Sequence, residues 1–340
     1  MEELERTAVQ LWEAKRLAEY EDVAHGRLAL LLLDNAAETC LMRSARSFLL
    51  FDDMYGSMSY RLQDVGPDAE GQRLRIEIDA KNLSKGRRRQ IERNFNSLVD
   101  YVFAQASFNL QSEFAECLKI LHRYRNAAYH RDSVRADVLG PAVQIYFFLC
   151  CHLLKHERLV IHEIDLIPTA VAEMFGDKMP APTWPGGGID SGTLGNELAN
   201  FFLSTRGLDH AGVASALSAH LLGRLAALDR HLTTIGESVR PGINRWAVLQ
   251  FVQQAPAKRE DFDKETPADF WTRPVPVTEV VLADWKMVAM ELRGVGIAFD
   301  ALRQFAAIEH PLEKLEEPVG RFLDGIERAE QQAMDEMLGK

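Results

Sequence analysis

The chain has too few cysteines, too little uninterrupted apolar sequence and too little positive charge for several large classes of protein. Its four cysteines in 340 residues, Cys40, Cys117, Cys150 and Cys151, show neither zinc-site spacing nor a disulfide framework. Each lies among apolar residues, so buried thiols are expected. No apolar run reaches the roughly 18–20 residues that cross a bilayer, and the acidic start Met1-Glu2-Glu3-Leu4-Glu5-Arg6 lacks the basic and apolar parts of a signal peptide. A cytoplasmic protein that does not enter a membrane is expected. Pro180-Ala181-Pro182-Thr183-Trp184-Pro185-Gly186-Gly187-Gly188 is not followed by the Gly-Lys-Ser/Thr ending of a phosphate loop, and no Gly-x-Ser-x-Gly elbow occurs. His152 and His156 stand at i and i+4 with Glu157 and His162-Glu163 beyond, but Leu153 occupies the position where a zincin needs glutamate. Neither a metal nor a cofactor is expected.

What remains is helical sequence, 47% hydrophobic and long enough for two cores. Apolar residues recur at three-to-four-residue steps over about 2–22, 25–51, 84–106, 110–130, 138–156 and 166–175. The same holds for 193–205, 209–236, 242–253, 276–306 and 311–338. Only Arg73-Leu74-Arg75-Ile76-Glu77-Ile78 alternates like a strand. Ser84 is placed to cap the third helix, and Gly140-Pro141 punctuates the step into the apolar helix that follows. The expected fold is all-α: a helical bundle over 1–176, a Pro/Gly-rich linker over 177–192, and a second helical region over 193–340. No solenoid repeat is evident.

The net charge of −11 opposes indiscriminate binding to nucleic acid, yet the charge is unevenly spread. From Lys81 to Arg135 there are eleven Lys/Arg against five Asp/Glu. Within this island Arg87-Arg88-Arg89 stand near a helix start, where the macrodipole disfavours cations. An RNA backbone as partner would account for them, with Arg87, Arg88, Arg89, Arg93, Arg123 and Arg131 as the RNA-binding set.

Inside the island lies Arg125-Asn126-Ala127-Ala128-Tyr129-His130. It is approached through Phe114, Leu118, Leu121 and Tyr124 and followed by Val143-Gln144-Ile145-Tyr146-Phe147-Phe148-Leu149. An arginine offers a permanent cationic fork to phosphate, and a histidine exchanges a proton near neutral pH. In this setting the segment over about residues 25–160 resembles the HEPN domain family, whose signature is arginine, a polar residue, and histidine four to six positions after the arginine. Asp34-Asn35-Ala36-Ala37-Glu38 on an apolar helix also resembles that family's early helices.

The resemblance implies a metal-independent endoribonuclease, a toxin or antiphage effector, with a composite site across a homodimer. Arg125 would neutralise the scissile phosphate, His130 would move protons at the ribose 2′-hydroxyl or leaving oxygen, and Asn126 would orient one of them. Asp132 stands where the subfamily paired with a nucleotidyltransferase antitoxin has tyrosine, so nucleotidylation there is not expected. Five helical residues turn by about 140°, so Arg125 and His130 share a face only if the helix ends or bends between them, whereas a twofold axis could bring two copies of each into one cleft. The other readings are a HEPN-like module that binds RNA or a nucleotide without cutting it, and a helical scaffold for a partner protein. The C-terminal half would then sense a trigger, meet an antitoxin or sensor protein, or extend the dimer.

Overall fold

The computed structural model describes residues 2–62, 73, 83–105, 108, 110–130, 136–156, 163–164, 167–176, 189–239, 241–254 and 274–338. Among them are twelve α-helices and one two-residue strand pairing, an all-α protein as expected. The chain divides into two compact units, Met1–Asp209 and His210–Lys340.

The first unit is built on a helical pair. Helix α1 (Glu2–Leu17) passes through a 3-10 turn at Ala18–Tyr20, and the chain reverses at Glu21 in the left-handed region, φ 53°. Helix α2 (Val23–Leu62) then begins. Asp22 caps α2: its Oδ1 accepts the His25 backbone N–H at 2.9 Å, and this donor holds the carboxyl below its ordinary range. Helix α6 (Ala136–His156) lies against α2 and brings in Ile145, Tyr146, Leu149 and Cys150, all buried. Burial of each such side chain contributes about 1.5–3 kcal/mol. Gly140 and Pro141 fall inside α6 and do not divide it from its first turn. A proline this early loses only the bond to residue 137, where few intrahelical bonds have begun.

Between these elements lie α3 (Lys85–Arg93), α4 (Phe95–Phe103) and α5 (Ser112–His130). Ser84 caps α3 through Arg87 N–H, as its sequence position suggested. The single helix expected over 84–106 is two, because Asn94 is extended (φ −123°, ψ 114°) and its side chain caps the next helix at Ser97 N–H. Arg73 aside, the alternating segment 73–78 lies outside the described residues.

A linker was expected over 177–192. Residues 177–188 lie outside the described residues, but strand β1 (Glu163–Ile164) before them pairs antiparallel with β2 (Ile189–Asp190) after them. Helix α7 (Thr169–Phe175) packs on α1, and α8 (Ser191–Thr205) packs on α6, with Phe202 meeting Phe147 edge-on. The Pro/Gly stretch therefore begins and ends inside the first unit, and the units divide at Asp209 and His210.

In the second unit, α9 (His210–Val239) is the centre, flanked by α10 (Arg245–Gln254), α11 (Glu279–Glu291) and α12 (Ala298–Met337). The helix expected over 276–306 is divided by a 3-10 turn at Leu292–Gly294 followed by Val295-Gly296. His210 Nδ1 then accepts the Ala298 N–H at 3.1 Å and caps α12. That helix runs through Pro311 and Pro318. The carbonyls these prolines leave unpaired, four residues earlier, belong to exposed Ala307 and Lys314, where water can reach them. Arg224 joins α9 to α12 through Glu309 and Glu316.

Two helices, 136–156 and 210–239, are long and apolar enough to cross a membrane by composition. In the first, 72% of the apolar window is buried in the protein, as in a core helix.

Candidate functional site

The site is organised by a carboxylate that the apolar pattern of α2 carries indoors. Asp34 follows Leu30-Leu31-Leu32-Leu33 and is 1% exposed. An isolated buried carboxylate costs several kcal/mol, so its partners define the site. Tyr146 on α6 donates its hydroxyl to Asp34 Oδ1 at 2.6 Å, and His122 Nδ1 on α5 meets the same oxygen at 2.9 Å. Arg125 Nε lies 3.2 Å from Oδ2, an ion contact whose N–H direction falls short of a hydrogen bond. Arg125 Nη1 donates to Asn126 Oδ1 at 2.9 Å. Burial and the Asp34 charge push the Tyr146 phenol far above its ordinary range, so it remains a donor.

The imidazole of His122 is fixed on two sides. Phe95, at the start of α4, stacks on the ring with centroids 4.0 Å apart and planes 7° from parallel. Because a carboxylate only accepts, the Nδ1 facing it carries the proton, which selects the tautomer whose lone pair is on Nε2. The His122 side chain is 22% exposed, and its one hydrogen bond among the described residues is that from Nδ1. Residues 122 and 125 are three apart and project from one face of α5, about 60° from each other.

Helix α5 continues through residue 130. Positions 125 and 130 are thus about 140° apart around its axis, and the bend that would align them in one chain is absent. The side chain of His130 lies outside the described residues. The arginine and the asparagine expected in the site do meet, and Asp34, His122 and Tyr146 join them. Sequence reasoning passed over His122 although its i−3 spacing from Arg125 placed the two on one face. Asp34 was noted only as part of an early helix, although a lone acid after four leucines asks for a buried cation.

The expected RNA-binding arginines separate into two groups. Arg87, Arg89 and Arg93 on α3 and Arg123 on α5 are exposed, with Arg87 also bonded to Gln90 Oε1. Arg88 is spent internally: it pairs with Asp52 and Asp53 and ties α3 to α2. Arg131 lies outside the described residues.

The four cysteines are buried free thiols, and Cys150 Sγ–H donates to the Leu33 carbonyl at 3.3 Å. His152 packs edge-on to Phe114 and tilted against Phe148. Burial, then the nearby charges of His156 and Lys155, push its imidazole down to about 4. Among the described residues no cluster of three or more His, Cys, Asp or Glu is arranged to hold a metal ion.

No family model matches this chain, and neither a curated protein nor a solved structure does.

Proposed function

We propose that the first unit acts on RNA as a metal-independent endoribonuclease, resembling HEPN proteins, and serves as a cytoplasmic toxin or antiphage effector. The observation that carries this reading is one carboxylate, Asp34, holding a guanidinium and an imidazole together on one face of α5. These groups supply phosphate binding and proton exchange without a metal. Exposed arginines on α3 and α5 provide cations for backbone phosphates in a chain whose net charge is otherwise negative. In this reading the protein is a homodimer, and His130 meets its counterpart's site across the twofold axis. The C-terminal unit receives a trigger, an antitoxin or a sensor protein.

The test is cleavage of a mixed RNA pool in excess chelator, wild type beside Arg125→Ala. Loss of about 100-fold or more in the variant, with the helical circular dichroism unchanged, is the expected result. Undiminished cleavage by Arg125→Ala removes the assignment. A second reading is favoured by the Asp34–Arg125 contact, since a guanidinium already paired to a carboxylate is partly neutralised. On that reading the unit binds RNA or a nucleotide and does not cut it, and chelator-resistant binding without product would select it.

A further inference from the structure

We propose that His122, oriented by Asp34, is the catalytic base of this site and takes the proton from the ribose 2′-hydroxyl. This rests on the ribonuclease reading above and names a group which the arginine–histidine motif does not include. Three observations carry it. The ring is held on two sides, by Asp34 at Nδ1 and Phe95 on its face. The carboxylate sets the tautomer that leaves the Nε2 lone pair available. Arg125 contacts the other oxygen of that carboxylate, so the phosphate-binding group and the base are positioned by one residue. Among the described residues, the ionisable groups that meet His122 are Asp34 from α2 and, through it, Arg125 of α5 and Tyr146 of α6, while α4 contributes Phe95.

The step balances without a further reagent. The 2′-hydroxyl proton passes to Nε2 of His122 as the 2′-oxygen forms its bond to phosphorus. The bond from phosphorus to the 5′-oxygen breaks, and that oxygen leaves with the electron pair and is protonated by water. The products are a 2′,3′-cyclic phosphate and a free 5′-hydroxyl, and the imidazolium returns its proton to solvent.

The experiment measures chelator-resistant cleavage of a short RNA by the full chain as wild type, His122→Asn and His122→Ala. Asparagine places an amide N–H where Nδ1 stood and preserves the bond to Asp34 while removing Nε2, so this variant keeps the fold. The expected result is a fall in kcat of about 100-fold or more in His122→Asn with KM within about threefold. Added imidazole should restore at least tenfold to His122→Ala, which a purely structural role would not allow. Cleavage by His122→Asn within threefold of wild type overturns the inference and leaves the ribonuclease reading standing. So does inactive, folded His122→Ala that imidazole cannot rescue. Wild type inert towards RNA overturns both.

Discussion

Replacing Asp34 by alanine should destabilise the first unit by about 3–5 kcal/mol, the cost of removing one partner from a buried charged cluster. The figure follows from what is left behind. The Tyr146 hydroxyl, fully buried, would lose its acceptor, and Arg125, with 31% of its side chain exposed, would lose its ion contact with this carboxylate. Tyr146→Phe alone removes one hydrogen bond to a charged group and should cost about 1.5–3 kcal/mol. In the Asp34→Ala background the same change should be neutral or stabilising, because it removes a buried hydroxyl left without its carboxylate, giving a coupling energy of at least about 1.5 kcal/mol. Two units in one chain make a single melting transition an unsafe measure. The assay is native-state hydrogen exchange on peptides within 112–130 and 136–156, which reports opening of α5 and α6. Full additivity of the two substitutions, or a loss below about 1 kcal/mol in Asp34→Ala, would refute the view that this carboxylate is the hub.

Further expectations concern packing and pH. Gly26→Ala should destabilise the unit by about 1–3 kcal/mol, because its Cβ would meet Leu139 Cδ2 at 2.7 Å. Gly140→Ala, with nothing within 4 Å of the added Cβ, should stabilise α6 by about 0.5–1 kcal/mol; chemical denaturation followed by hydrogen exchange distinguishes them. His152 remains neutral in the folded state down to about 4, whereas the unfolded chain takes up that proton near its ordinary value of 6.5. Stability should therefore be unaffected by this group above about pH 6.5, fall as pH drops, and reach its full loss below about pH 4. After discounting for the partly solvated ring, that loss is on the order of 1–2 kcal/mol. His152→Leu should flatten this window in urea titrations, and an unchanged pH slope would contradict the assignment.

How far the sequence disclosed this depended on whether the cause was local. The helix bearing Arg125 was legible because Phe114, Leu118 and Leu121 repeat at helical steps and are buried together. The unbroken α12 was not, since Pro311 reads as a stop unless the carbonyl it orphans is known to be exposed. The linker expected over 177–192 rests on composition, which reports backbone freedom and says nothing of the β1–β2 pairing whose second strand falls inside that range. The site was legible in half: Arg125 and Asn126 are neighbours in sequence, but Asp34 lies 88 residues from His122 and 112 from Tyr146. Only packing of α2, α5 and α6 brings those residues together.

The charge of the hub bears on why a pre-paired arginine need not disable a phosphate site. Under the proposed mechanism Asp34 offsets the charge of Arg125, so before the proton moves the trio offers little attraction to a phosphate. In that mechanism the proton transferred to His122 would add one positive charge to the trio as negative charge accumulates on the phosphorus oxygens. Attraction that grows along the reaction accelerates chemistry, whereas attraction present from the start only tightens binding. Under the proposed mechanism Asp34 therefore does two things: it fixes the tautomer of the base, and it withholds the arginine's full charge from the ground state. A site built from Arg125 alone would hold RNA more firmly and gain less when the bond breaks.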